Sequence, residues 1–175
     1  MRIIGPPSAS LEKVMFNLNI DTNGVHPRFV NEMVNPLWDA AIKYTIDPVG
    51  VIAQAYKETG MGNYTGKVKP EFFNTCGLKV RYQNLNFTEY ANPQPLLGDQ
   101  PLAHAMFASW QVGAIAHVQH LRIYAGWPVD DIILDPRYTY ITNKWCENFE
   151  DLSGKWAPAL DYGQKIVEIA RRLQA

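Results

Sequence analysis

One carboxylate stands where helix chemistry disfavours it. In "IDPVGVIAQAYKETGMGNYTG", residues 46–66, Asp47 is a helix N-cap, Pro48 a first helical residue, and Gly60 and Gly62 the stop, which puts Glu58 in the last turn. The exposed carbonyls there carry partial negative charge and favour Lys or Arg. A wheel over this helix turns Val49, Ile52, Ala55 and Tyr56 inward, sets Glu58 beside Val51 at the edge of that face and points Lys57 away. Burial at that edge, next to the negative helix end, raises a carboxyl pKa, as a general acid working near neutral pH requires. The alternative is a solvated glutamate paired to a lysine. Other reactive side chains form weaker patterns. His117 and His120 sit three apart on one helix, with His104 nearby in sequence, but the HExxH spacing and nearby acid of a zinc helix are absent. With Tyr124 they flank an apolar stripe, so they line a cleft wall or satisfy buried carbonyls. Cys76 and Cys146 belong to no CxxC or Cys/His spacing and read as two free thiols. No GxSxG, local Cys/His signature or phosphate-cradling glycine loop supports acyl transfer or nucleotide chemistry.

The elements that must position Glu58 are mostly helical. In "LEKVMFNLN", capped by Ser8 or Ser10, Leu11, Val14, Met15 and Leu18 form a stripe at i, i+3, i+4, i+7. A second helix is expected from about Pro27 to Tyr44, with Phe29, Val30, Met33, Leu37, Ala41 and Tyr44 inward and a kink or break at Pro36. From Gly60 to Pro101 the helical period is lost, and the β-prone pieces "CGLKVRY" and "LNFTEY" predict a loop and a small hairpin. A long helix resumes near Ser109, with Ala114, Ile115, Val118, Leu121 and Ala125 on one face. "WPVDDIILDPRYTYITNKW" reads as irregular, and a last amphipathic helix covers about Asp161 to Leu173. Trp156 reads as a core residue fixing that helix.

At 175 residues, 47% hydrophobic and 12% aromatic, the chain reads as one domain spanning 1–175, large enough for its own core and not a disordered chain. A net charge of −1 with scattered Lys and Arg gives no footprint for a nucleic-acid partner. No apolar run is long enough to span a bilayer, and "MRIIGPPSAS" is too short in its apolar part to be a secretory signal.

Five strings in register, "ETGMGNYTG", "NTCGLK", "FASWQVGAIAHVQHLRIYAG", "DPRYTY" and "LSGKWAPALDYGQKIVEI", resemble the bacterial and phage cell-wall glucosaminidases over nearly the whole chain. The resemblance implies an α+β, predominantly helical, lysozyme-like fold with a small β-hairpin flanking a sugar-binding cleft. It places Glu58 on the family's acid position. Glycoside hydrolysis needs that acid and a group on the far side of an oxocarbenium-like centre. The hairpin region offers Glu89 and Asp99 for the second role, with Asp99 preferred because it follows Gly98 in a loop before "PLAHAMFASW"; Glu71 is a third candidate, and the substrate's own N-acetyl group a fourth. Asn74 would fix the hairpin backbone or bond an N-acetyl group. Tyr64, Tyr138 and above all Tyr140 are candidates for stacking on sugars, or else pack in the core, and His120 is a cleft residue. The implied enzyme is a monomeric peptidoglycan hydrolase, an endo-β-N-acetylglucosaminidase cutting between GlcNAc and MurNAc without metal or cofactor. It acts on the bacterial wall. With no signal peptide in the chain, a phage endolysin or virion enzyme is favoured over a host autolysin, although a domain excised from an exported autolysin would read alike. The rivals are a lytic transglycosylase or muramidase on the same fold, and a wall-binding phage-tail module without turnover.

Overall fold

The computed structural model describes residues 1–80, 104–142 and 144–175. Within them the architecture is predominantly helical. Helices α1 (Leu11–Asn19), α2 (Val34–Lys43), α3 (Pro48–Glu58), α4 (Trp110–Tyr124) and α5 (Tyr162–Gln174) carry the core, with short 3-10 turns at Pro70–Phe72, Tyr138–Tyr140 and Phe149–Leu152. No helix of the described residues is long and apolar enough to cross a membrane.

Helix α3 is the axis of the molecule. Asp47 caps it, Oδ1 accepting from the Val49 amide at 3.0 Å, a contact worth about 1 kcal/mol. Every residue from Pro48 to Tyr56 is buried, because α2 and α5 pack on it while α4 lies against α2 and α1 against α5. The one-sided wheel expected from the sequence is thus corrected: α3 is enclosed all round until its last turn, as a helix with a single polar residue, Gln54, over that stretch can be. Its neighbours follow from sequence more closely. Ser10 Oγ caps α1, Ser109 Oγ caps α4, and α5 buries Ile166, Val167, Ala170 and Leu173.

The helix expected over Pro27–Tyr44 forms with an interruption. Phe29–Met33 is a π-helical turn, and the α-helix proper begins at Val34, which leaves Pro36 in its first turn, where a missing N–H costs no internal bond. The stripe assigned to α4 is also incomplete. Ile115 and Ala125 are only partly buried, whereas His117, Gln119 and His120 are buried polar residues.

No strand forms among the described residues. The segment expected to hold a hairpin shows a single antiparallel bridge, Lys79 to His104, and the remainder of the expected hairpin lies outside the described residues. Around that bridge Cys76, Leu78, Ala105, Phe107, Ala116 and Leu134 make a second, small apolar cluster against α4. Gly113 permits this approach: a Cβ there would fall 1.8 Å from the Phe73 carbonyl oxygen. Residues 73–78 are thereby laid along α4. Cys76 and Cys146 are buried free thiols.

Candidate active site

The chain leaves α3 through a tight wrap. Gly60, Met61, Gly62 and Tyr64 all have left-handed φ, between 50° and 81°. The turn also satisfies the helix end: the Thr59 amide and hydroxyl both donate to the Ala55 carbonyl, at 3.0 and 2.8 Å, and the Met61 amide donates to Tyr56 O at 2.7 Å. The carbonyls that would repel Glu58 are therefore engaged.

Glu58 itself is partly buried. Burial is the main cause that pushes its pKa up from the ordinary 4.5, while a hydrogen bond from Tyr162 and the Lys57 charge pull the other way. Lys57 does not point away as expected but lays its ammonium over the Tyr162 ring, 5.0 Å from the centroid.

The Tyr162 hydroxyl donates to Glu58 Oε1 across 104 residues of sequence. Behind it a buried polar chain recedes into the core. Gln54 Nε2 donates to Tyr162 Oη at 2.9 Å, His117 Nε2 meets Gln54 Oε1 at 3.0 Å, and Thr75 Oγ1 meets His117 Nδ1 at 3.0 Å. The directions fix one another. Gln54 Oε1 can only accept, so His117 carries its proton on Nε2 and accepts the Thr75 hydroxyl proton at Nδ1. Burial, with His120 nearby, lowers the His117 pKa to about 3, so this tautomer stays neutral. Every donor points toward Glu58.

The other carboxylate oxygen faces Gly77: Oε2 lies 3.9 Å from the point a Cβ there would occupy. Gly77 has a φ of +68°, so a side chain would be strained as well as placed before the acid. Gly77 also lines a hollow of about 340 Å³ bounded by Cys76–Lys79, His120, Tyr124, Trp156, Tyr140 and Ile141. Among the described residues its lining carries four cationic side chains, Lys79, Arg137, Lys144 and Lys155, and no carboxylate. His120 Nδ1 is 2.8 Å from Asp135 Oδ2, both side chains being buried, and Trp156 stands edge-on to the His120 ring at 4.7 Å. Burial is the main cause that pushes the Tyr124 pKa up to about 12.

The residues singled out from sequence divide sharply. His120 and Tyr140 line the hollow. Tyr138 packs partly against the main core. Tyr64 is corrected as a sugar platform: it is buried, its ring packs beside Trp110, and its hydroxyl donates to Asn74 O at 3.1 Å. Of the two roles offered for Asn74, fixing backbone or bonding an N-acetyl group, the structure shows the first. The Asn74 side-chain amide donates to Leu78 O and Ala105 O, and its Oδ1 accepts from the Cys76 and Leu78 amides, so all four bonds are spent on backbone. Trp156, read as core, is half-buried and forms part of the hollow's wall. Glu71 is exposed in the Pro70–Phe72 turn, and Glu89 and Asp99 lie outside the described residues. Among the described residues no three His, Cys, Asp or Glu side chains converge as a metal site needs. Sequence reasoning missed Tyr162, Gln54, Thr75 and Asp135. The available signal was the lone polar Gln54 in an otherwise apolar run, which demands a buried partner.

A carboxyl group with a raised pKa, facing a glycine on the rim of a hollow edged with aromatic rings and cations, suits acid catalysis on a polar chain such as a sugar polymer. The glucosaminidase family model, described as mannosyl-glycoprotein endo-beta-N-acetylglucosaminidase, matches residues 34–175. The chain belongs to the glucosaminidase family and is a glycoside hydrolase. Among solved structures it is similar to the catalytic domain of the autolysin Auto from Listeria monocytogenes, at 19% identity over 95% of this chain and 96% of that one, with a TM-score of 0.47. No curated protein matches the chain.

Proposed function

We propose that this protein is a peptidoglycan hydrolase, an endo-β-N-acetylglucosaminidase that cuts the β-1,4 bond on the reducing side of GlcNAc, within a lysozyme-like fold working as a single monomeric domain. The observation that carries the reading is the placement of Glu58: its pKa is raised by burial, one oxygen is held by Tyr162, and the other faces Gly77 on the rim of the hollow. Protonated on Oε2, Glu58 gives its proton to the glycosidic oxygen as the bond to the anomeric carbon breaks. Tyr162, fixed in turn by Gln54 and His117, keeps the carboxyl from rotating away, and a held geometry of this kind is worth up to about a hundredfold in rate. Asp99 is the preferred second carboxylate, with Glu89 and the substrate's N-acetyl group as the other routes to stabilising the oxocarbenium-like centre. The cationic lining suits a substrate whose stem peptides end in carboxylates. The bacterial wall is then the place of action, for a phage lysin and an autolysin alike.

The bond is read by digesting purified walls, reducing with borohydride and weighing the muropeptides. Reduced GlcNAc termini are expected. Reduced muramic termini would make the enzyme a muramidase, 1,6-anhydro termini a transglycosylase, and no release at all a binding module.

A further inference from the structure

The aromatic wall of the hollow continues past its edge. Trp127 and Trp145 are 49% and 66% exposed, and both line two further hollows of about 270 and 490 Å³. The first of these shares Ile141 and Lys144 with the hollow beside Gly77, so one surface runs from Tyr140 to the two indoles. Each ring is braced on one side by the protein. Trp145 lies on Gly126, where a Cβ would fall 2.0 Å from the ring, and the left-handed φ of +76° also favours glycine at that position. The Arg122 guanidinium sits 5.4 Å from the Trp127 centroid and donates to the Pro128 and Tyr44 carbonyls, which fixes the cation as well as the ring.

Two braced, half-exposed indoles are costly to leave in water and well suited to a ligand with flat apolar faces and polar edges. Pyranose rings have that form: axial C–H groups on the face and hydroxyls around the rim. We propose that Trp127 and Trp145 form a distal subsite that grips the glycan strand beyond the point of cleavage. The inference rests on the reading of the substrate as a glycan polymer and adds where a strand longer than the hollow goes. The surface it assigns is continuous with the hollow, which favours the strand over a second copy of the chain or a partner protein as occupant.

The test compares Trp127→Ala, Trp145→Ala and the double variant with wild type on long soluble glycan strands and on a muropeptide tetrasaccharide. On long strands KM should rise about tenfold for the double variant with kcat held, the signature of lost uniform binding. On the tetrasaccharide the variants should match wild type, and added strands should quench indole fluorescence less in the variants. Unchanged KM on long strands overturns the subsite while leaving the enzyme reading intact. Equal losses on both substrates overturn it as well, by showing a general defect. A wild-type dimer in sedimentation that Trp145→Ala dissociates would assign the surface to self-association instead. If wild type neither cuts nor binds strands, the functional reading fails first and this proposal with it.

Discussion

The surroundings of Glu58 and the hollow beyond Gly77 are built on opposite principles. On the Glu58 side the polar atoms are buried and each donor is committed: Thr75, His117, Gln54 and Tyr162 form one directed chain ending on a carboxylate oxygen. On the Tyr140 side the groups are more exposed, cationic and aromatic, and the ridge extends outward to Trp127 and Trp145. The first arrangement gives geometry at the expense of adaptability, because moving any member strands a buried polar group. The second gives area and tolerance. We propose that chemistry belongs on the rigid side and recognition on the open one, so substitutions on the two sides should separate kcat from KM.

The largest expected effect is at the acid. Glu58→Gln should lower kcat by roughly 10²–10⁴-fold, since it removes the proposed proton donor without changing shape. Its stability has a definite sign. Folding raises the Glu58 pKa above its unfolded value of about 4.5, so the folded state holds more protons than the unfolded state between 4.5 and the raised value. Stability is greatest below 4.5 and falls as pH rises through the folded pKa. Glu58→Gln should therefore melt at or above wild type at pH 7, with that advantage shrinking toward pH 4, and calorimetry across this range checks both. A variant that melts well below wild type at pH 7 would mean that the glutamate has a structural role.

A smaller effect is expected one step back. Tyr162→Phe should cost about ten- to a hundredfold in kcat with KM little changed. It also removes a hydrogen bond that favours the carboxylate, so the alkaline limb of the activity profile should move to higher pH. Steady-state kinetics from pH 4 to 9 measure both shifts. A movement toward lower pH would contradict the direction of the chain.

On the open side the change should be modest and of the other kind. Tyr140→Ala should raise KM a few-fold and leave kcat nearly intact. A kcat defect there as large as that of Tyr162→Phe would erase the contrast between the two sides.

How much of this was legible in the chain follows the same division. Helix ends set by local chemistry could largely be read: Asp47 is the cap expected, Ser10 is one of the two serines offered for α1, α4 starts right after Ser109, and Glu58 does close α3. The stripe of α1 could be read because that helix is buried on one side only. What failed depended on distant partners. Tyr162 was read as part of a motif string, since its acceptor lies 104 residues away. Tyr64 is a residue type suited to sugar stacking, yet it is buried and its hydroxyl is taken up by the Asn74 carbonyl. The inward polar residues of α4 widen its buried face beyond the apolar stripe, so periodicity found Ala114, Val118 and Leu121 but not His117, Gln119 and His120. Proline chemistry marked the right place in the second helix, but a π-turn ahead of Pro36 replaced the expected kink.

That burial raises the Glu58 pKa and so suits it to be the proposed general acid is tested most directly by titrating its side-chain carboxyl in ¹³C-glutamate-labelled protein, assigned by difference from Glu58→Gln. A midpoint above the ordinary 4.5 that coincides with the alkaline limb of kcat/KM is expected. A midpoint at or below 4.5, or an alkaline limb that stays in place when the Glu58 midpoint is shifted by Tyr162→Phe, would contradict it.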